Sequence, residues 1–257
     1  MSTFLLAAAA TLVFCAPGYP GAAGDAQPFV DQFATASAAT AGWAAGSLAA
    51  IYDPSEQGGL TKLGSADAVL AFVPYAFFVQ HGKELHLAPL AQADVTGIGP
   101  EERWTLVAKA GAVTRPADLA GDTLLSVAGY APEFVRHSAL ESWPLPPDVK
   151  IESSGQILGV LRRIAAGEHV VALLDQTQSA ALPTLPFAAQ LKAVTQSAPL
   201  PVAILAVVDA RLPAARARSL QAGLLKMGKT PGYADTLGQL HLQGFVLPQL
   251  PARTPSP

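Results

Sequence analysis

The sequence contains little cysteine and little charge. Cys15 is the only cysteine among 257 residues, so an intramolecular disulfide and a metal site built from several thiolates are both excluded. Charged residues make up 14% of the chain, the formal net charge is -3, and no run of Lys or Arg is longer than Arg162-Arg163. Because nucleic-acid-binding proteins carry a basic patch, we expect no nucleic-acid partner.

Motifs of catalysis and of metal binding are also missing. The five histidines show no spacing typical of a zinc site, and no GxSxG nucleophile motif occurs. The acidic residues Asp67 and Asp175 have no histidine at a spacing that indicates a catalytic pair. We therefore expect no enzymatic activity, no cofactor and no metal.

The apolar stretch at residues 4–15 is too short to span a bilayer and has no positive flank, so we expect no transmembrane segment. It allows three interpretations: a degraded or truncated export signal, a lipoprotein site at Cys15, or a first core strand. Phe14 is a poor fit to the small residue that precedes a lipidated cysteine. We favour a strand over residues 11–16, ending at a Pro/Gly turn, with residues 1–10 as a signal remnant or extension.

Two segments of the chain follow one pattern. Residues 65–75 (SADAVLAFVPY) and 167–176 (GEHVVALLDQ) each place a continuous apolar run before a polar or aromatic end. Such runs are typical of buried parallel strands. In open α/β sheets, ligands bind at the carboxyl ends of the strands. The pair therefore predicts two lobes that face one another across a cleft.

Strands alternate with helices along the chain, and hydrophobic residues make up 51% of it. This pattern predicts an α/β protein with mainly parallel sheets flanked by helices. An insertion between two crossovers predicts one lobe from residues 1–98 and 198–257 and a second lobe from residues 99–197. Near the C-terminus we expect a helix over residues 230–242, followed by an apolar tail at 245–247.

Four short segments, in this order, carry a family resemblance: LTKLGSADAVLAFVPY (60–75), DLAGDT (118–123), AGEHVVALLD (166–175) and SAPLP (197–201). With them the chain resembles the type II periplasmic solute-binding fold, closest to the phosphate/phosphite/phosphonate branch of ABC-transporter binding proteins. The resemblance implies a monomer whose two lobes close on a small solute, an ABC permease as partner, and a periplasmic or extracytoplasmic location. A ligand-sensing module that has kept the fold and lost transport is the alternative.

One stretch departs from the pattern of that family. Where the family has a Ser/Thr-rich helix start that captures phosphonate oxygens, residues 126–132 read SVAGYAP. Tyr130 stands in place of the hydroxyl cluster, and Pro132 has no N–H group to donate. The backbone N–H groups of the stretch would remain as donors.

The predicted strand ends supply the candidate ligand-binding residues: Tyr19, Pro74, Tyr75, Gly129, Tyr130, Asp175 and Gln176. Tyrosine faces beside a carboxylate suit an amine or zwitterion, through charge and cation–π attraction. A structural interpretation is equally open, in which the tyrosines cover the sheets and Asp175 caps the following helix. Cations for an anionic solute could come from Arg103, Lys109 and Arg136, although such residues more often pair locally. Phosphonate-like and amine solutes both remain open.

Overall fold

The structure is a computed structural model that describes residues 10–18 and 23–251. The strands in these ranges are β1 (Ala10–Cys15), β2 (Leu48–Asp53), β3 (Ala68–Pro74), β4 (Leu87–Val95), β5 (Glu101–Glu102), β6 (Thr105–Lys109), β7 (Thr123–Ser126), β8 (Lys150–Ser153), β9 (Val170–Leu174), β10 (Leu191–Gln196), β11 (Leu200–Pro201), β12 (Ala203–Val208) and β13 (Leu242–Val246). The α-helices are α1 (Ala23–Thr40), α2 (Glu56–Leu63), α3 (Tyr75–His81), α4 (Pro132–Phe134), α5 (Ile157–Ala166), α6 (Gln176–Ala181), α7 (Ala214–Met227) and α8 (Ala234–Gln239). A π-helical turn, Val135–Ala139, continues α4.

The strands form two main sheets, which confirms a two-lobed α/β fold. The six-stranded sheet has the order β13-β4-β12-β3-β1-β2, and the five-stranded sheet has the order β10-β6-β9-β7-β8. Between them, the short strands β5 and β11 pair antiparallel where the chain crosses from one sheet to the other and back. The lobe boundaries at residues 98–99 and 197–198 stay a prediction.

The sheets are mixed, and in this detail the expectation of mainly parallel sheets needs correction. Four strands of each sheet share one direction, but six of the ten strand pairings in the described chain are antiparallel. The reason lies in the crossovers. β12, the strand that follows the second crossover, inserts between β3 and β4, and β6, after the first, inserts between β9 and β10. Each inserted strand runs against both of its neighbours.

The two segments of similar pattern do lie in different sheets. β3 is an inner strand of the six-stranded sheet, and all five residues of β9 are buried inside the five-stranded sheet. A strand that is buried on both faces of its sheet needs a continuous apolar run. The prediction that the two segments are buried strands of different lobes is therefore confirmed, and we name β3 and β9 the floor strands.

The N-terminal apolar stretch forms β1, which pairs with β2 and β3 in parallel. At its end the Cys15 side chain is buried, and its thiol donates to the backbone oxygen of Ser55 over 3.5 Å. Burial, with the nearby Asp53 carboxylate, raises the pKa of the Cys15 thiol to about 12. The strand interpretation is confirmed, with the strand over Ala10–Cys15 where residues 11–16 were expected. The signal remnant or extension expected at residues 1–10 lies outside the described residues, except for Ala10.

The C-terminal region differs from the sequence expectation. The helix α8 ends at Gln239, and the expected apolar tail is the strand β13, paired antiparallel with β4. His241 takes a left-handed conformation, φ 55°, between the two elements. A run of three apolar residues after Gly244 is too short to indicate a strand, and its partner β4 is far away in the sequence.

Two hydrophobic clusters hold the fold together. One lies under the six-stranded sheet, where Phe14, Phe33, Phe72 and Phe245 form ring contacts at 5.0–6.1 Å. The other is continuous from β1 and β3 across Trp104 into the five-stranded sheet. The site described below therefore lies on a hydrophobic core to which both lobes contribute residues. Within the described ranges, no helix combines the length and the hydrophobicity that crossing a membrane requires.

Candidate functional site

The two lobes contact each other along the cleft. Glu133, at the start of α4, donates its backbone N–H to the side-chain oxygen of Gln80 in α3 over 3.0 Å. The rings of Tyr75 and Phe134 meet edge to face at 6.1 Å. These pairs join the six-stranded lobe to the five-stranded lobe across the cleft.

Two cavities lie between the lobes and share the residues Pro74, Glu102 and Val202. The first, which we name the aromatic chamber, is walled mainly by Tyr75, Trp104, Tyr130 and Phe134. The second, which we name the crossover cavity, is lined by Pro74, Val95, Ile98, Glu102, Asp175, Thr177, Val202 and Ala203. Glu102 is thus the polar side chain common to both.

The aromatic chamber is nearly filled by its own walls. Its free volume is about 10 Å³, which is room for roughly one water molecule. Tyr75 is 7% exposed and stacks on Phe78 at 6.1 Å, while Trp104 meets Phe134 edge to face at 5.2 Å. The crossover cavity is larger, at about 190 Å³. A solute between the lobes would find its space there.

Glu102 is a buried carboxyl at the junction of the two cavities. It is 4% exposed, accepts the backbone N–H of Gln176 at 3.4 Å, and forms a hydrogen bond with the Trp104 side chain. Burial and the neighbouring charge of Asp175 raise the pKa of Glu102 to about 8. Around neutral pH the Glu102 side chain therefore mostly holds its proton.

Asp175 faces the crossover cavity from the end of β9. It is 6% exposed, and its carboxylate accepts the backbone N–H of Gln178 at 2.8 Å, while the Gln178 side chain accepts the N–H of Asp175 at 3.2 Å. This reciprocal capping box begins α6. Burial raises the pKa of the Asp175 carboxyl, although its hydrogen bonds lower it in part. The interpretation of Asp175 as a helix cap is confirmed; a ligand contact stays a prediction.

The structure brings most of the predicted site residues together. Pro74, Tyr75 and Tyr130 line the aromatic chamber, and Asp175 lines the crossover cavity. Gln176 binds Glu102 through its backbone N–H, and its side-chain oxygen accepts the backbone N–H of Arg103 at 3.3 Å. Their roles in binding stay predictions.

Two predicted residues are not placed in the cleft walls. Gly129 lines neither cavity: a Cβ atom there would lie 2.1 Å from the backbone oxygen of Glu152. Its lack of a side chain therefore serves the close packing of the loop after β7 on β8. Tyr19 falls outside the described residues.

Sequence reasoning missed Glu102 and Trp104, which follow the first crossover. The strand β5 has two residues, too few to show a periodicity that would reveal which side chain points inward. The available signal was local: an acidic residue and a tryptophan closely follow Pro100 in an otherwise apolar, weakly charged chain.

The loop at residues 127–133 is where the family resemblance places oxyanion donors. Four of its backbone N–H groups have acceptors inside the protein: Ala128 donates to the Ser126 hydroxyl oxygen, Gly129 to the Ser126 carbonyl, Ala131 to the Ala128 carbonyl and Glu133 to Gln80. In the described arrangement these four groups are not directed at a solute.

Cations are absent from the described walls of both cavities, which contain no Lys, Arg or His. The Arg103 guanidinium donates to the Ser197 carbonyl at 2.7 Å, and that of Arg136 donates to the carbonyls of Pro146 and Val149. Lys109 lies beside Gly167, away from the cleft. The carboxyls of Glu102 and Asp175 are therefore the ionisable groups that a solute would meet in these walls.

Residues 223–230 match the GxxxxGKT pattern of phosphate-binding loops, but not its structure. Most of the match lies in the last turns of α7, where a Cβ atom on Gly223 would be 2.8 Å from the backbone of Thr40. A phosphate-binding loop instead joins a strand to the start of a helix. Among the described residues, no group of three or more His, Cys, Asp or Glu could hold a metal ion.

Solved structures of low sequence identity share the fold. XAC2383 from Xanthomonas citri, bound to a chloride ion, is 17% identical with a TM-score of 0.69, covering 94% of this chain and 92% of its own. The binding component PA3383 of an ABC phosphonate transporter from Pseudomonas aeruginosa is 16% identical (TM-score 0.59; coverage 93% and 82%). PhnD1 from Prochlorococcus marinus, in complex with methylphosphonate, is 12% identical (TM-score 0.57; coverage 93% of both). At these identities they show the fold alone.

No curated protein matches the chain. A family model does: residues 57–251 match the model described as "ABC transporter, phosphonate, periplasmic substrate-binding protein". This range contains both floor strands, both crossovers and the whole five-stranded sheet. The chain therefore belongs to the family of periplasmic substrate-binding proteins of phosphonate ABC transporters.

Proposed function

We propose that this protein is the solute receptor of an ABC-type importer and that its lobes close on a small solute with a positively charged nitrogen, either an amine or a zwitterion. The observation that carries the proposal is the pair of buried carboxyls, Glu102 and Asp175, in a cleft whose described walls contain no cation. No chemical step is proposed.

A cationic nitrogen suits this pair for an energetic reason. Two buried carboxyls disfavour each other's ionisation, as the raised pKa of Glu102 indicates. An ammonium group between them would neutralise that charge and donate hydrogen bonds to the carboxylate oxygens.

A phosphonate, which the family resemblance favours, is the weaker candidate for these walls. Its oxygens carry negative charge and need N–H, hydroxyl or guanidinium donors. Four donors of the loop at residues 127–133, the backbone N–H groups of Ala128, Gly129, Ala131 and Glu133, are engaged inside the protein, and the Asp175 carboxylate would repel the anion. A zwitterion such as an aminoalkylphosphonate would use the carboxyls for its amine end.

Calorimetric titration of the purified protein with ethylammonium, a small amino acid, 2-aminoethylphosphonate and methylphosphonate tests the proposal. We expect heat and thermal stabilisation from compounds with a cationic nitrogen. Glu102→Gln and Asp175→Asn should each weaken their affinity by at least about tenfold, since each removes a carboxyl that can pair with the ammonium group as a carboxylate. Asn can still cap α6, so folding should survive.

The matched control is Glu168→Gln, at a carboxylate whose side chain is 51% exposed and paired with Arg163. It should leave affinity unchanged. Tight binding of methylphosphonate without any binding of the nitrogen compounds would contradict the proposed solute class and favour the phosphonate assignment.

The transport role requires a location outside the cytoplasm and a permease partner. Deleting the gene in its host should abolish high-affinity uptake of the radiolabelled solute, and the tagged protein should fractionate with the extracytoplasmic compartment. Unchanged uptake with a lost transcriptional or signalling response would instead identify a ligand sensor.

A further inference from the structure

The crossover cavity is larger than an ammonium group needs. At about 190 Å³ it exceeds the roughly 150 Å³ of an apolar cavity that holds one benzene molecule. The carboxyls of Glu102 and Asp175 occupy only part of its wall. The remaining space calls for a second portion of the solute.

The rest of the wall is almost entirely apolar. Pro74, Val95, Ile98, Val202 and Ala203 supply hydrocarbon surface, and the exposed Thr177 is the other polar residue. Water in such a space finds few hydrogen-bond partners, so an alkyl or aryl group would replace it favourably. The cavity therefore has a charged part and an apolar part, the pattern of a site for an amphipathic cation.

The apolar wall is built by the segments that join the lobes. Val95 ends β4 and Ile98 lies in the turn that follows, between Gly97 and Gly99, whose φ angles of 77° and 94° suit glycine. At the second crossover, Val202 lies between β11 and β12, and Ala203 begins β12. A group in this cavity would touch both crossovers, the segments about which the lobes close.

We propose that the solute is an organic ammonium compound whose hydrocarbon portion, of about four to six carbons, occupies the crossover cavity, and that Ile98 limits the length of that portion. This inference rests on the proposed function, because it takes the charged end of the solute to bind at Glu102 and Asp175. It adds the hydrocarbon portion of the solute, and it names Ile98 as the residue that selects the length of that portion.

Calorimetry with the chlorides of methyl-, ethyl-, butyl-, hexyl- and octylammonium tests the inference. In the unmodified protein, affinity should rise about three- to fourfold for each added methylene, as for transfer of hydrocarbon from water, and should stop rising near hexylammonium. Ile98→Trp should weaken hexylammonium binding by at least about tenfold and leave methylammonium within twofold. Ile98→Ala should extend the rise to octylammonium.

Leu247→Trp is the matched control, because Leu247 is 57% exposed and outside both cavities; it should leave the series unchanged. If Ile98→Trp does not fold, as judged by its thermal unfolding, Ile98→Ala decides the question alone.

The outcomes separate the two proposals. Tight binding of every ammonium compound with no dependence on chain length, or Ile98 variants that change methylammonium as much as hexylammonium, would overturn the inference and leave the proposed function standing. Binding of methylphosphonate with no binding of any ammonium compound would overturn both.

Discussion

Glu102 is the ionisable side chain that borders both cavities of the cleft. It hydrogen-bonds with Trp104 and Gln176, and lies close enough to Asp175 for their charges to interact. A neutral carboxylic acid at neutral pH costs the folded protein little. An ionised one beside Asp175 would cost much more, unless a cation binds. Glu102 is therefore the residue at which protonation and solute binding compete.

Glu102→Gln should make stability less dependent on pH. The pKa of Glu102 in the folded protein, about 8, lies above its ordinary value of 4.5, so the folded state holds a proton that the unfolded state loses. Stability therefore falls as pH rises from about 4.5 to about 8. Urea unfolding should show Glu102→Gln more stable than the unmodified protein by on the order of 2–4 kcal/mol at pH 9, and nearly equal at pH 4.

Glu168→Gln, at an exposed carboxylate, serves as the control and should keep the original pH profile. Parallel profiles for Glu102→Gln and the unmodified protein would mean that Glu102 titrates normally and is not buried as described.

Some of the residues in the cleft walls could be predicted from the sequence, and others could not. Tyr75, Tyr130 and Asp175 are predicted at strand ends, and they lie in the cleft walls because strand ends converge there. Glu102 could not be predicted, because its environment is assembled from α6 and Trp104 across the first crossover. Burial of a carboxyl depends on tertiary contacts that leave no local pattern.

At the scale of elements, the loop after β7 shows how close backbone packing replaces the expected oxyanion donors. Gly129 lies against the backbone of Glu152 and Ser153 in β8, so close that a Cβ atom on it would be 2.1 Å from the Glu152 oxygen. The loop is held by its own hydrogen bonds and by Gln80 of the other lobe. Its role in the described arrangement is therefore to carry Tyr130 and Phe134 into the aromatic chamber.

Gly129→Ala should destabilise the protein, because its Cβ atom would force the loop away from β8. We expect a loss of about 1–3 kcal/mol in the free energy of unfolding, as for overpacked cores. Gly155→Ala is the control, since a Cβ atom there meets nothing within 4 Å and its φ is not positive; it should change stability by less than about 1 kcal/mol. Equal effects in chemical denaturation would refute the close approach.

Elements are predictable where a pattern repeats over several residues. The strands β3 and β9 lie within the two segments predicted to be strands, because burial on both faces produces a continuous apolar run in the sequence. The strand β13 is missed because pairing with β4, and not its own composition, makes it a strand.

At the scale of the whole molecule, closure is the property that function requires. The contacts between Gln80 and Glu133, and between Tyr75 and Phe134, join the lobes opposite the paired crossover strands β5 and β11. We expect an equilibrium between open and closed forms that a solute shifts, with the two crossover segments as hinges.

Small-angle scattering should detect that shift. With a saturating concentration of the tightest ammonium ligand, the radius of gyration should decrease, as in hinge closure. Gln80→Ala, which removes one contact between the lobes, should weaken ligand affinity by several-fold without preventing compaction. An unchanged radius of gyration with the ligand bound would argue against closure.

The overall architecture is predictable as an α/β protein with two crossovers, but the mixed sheets are not. The strands β6 and β12 each insert between two neighbours that run opposite to the inserted strand. Where they insert depends on the position at which each crossover brings the chain back to a sheet. Sequence patterns report how deeply a strand is buried and carry no record of its neighbours' direction.

The most direct test of the central claim, that a cationic nitrogen binds at Glu102 and Asp175, is the proton balance of binding. A pH-stat titration in unbuffered salt solution at pH 7 measures it. Because the pKa of Glu102 is about 8 in the free protein and an ammonium partner would lower it, binding should release close to one proton per solute. Glu102→Gln should abolish that release. Binding of a nitrogen compound with no proton release, or of methylphosphonate with proton uptake, would contradict the account.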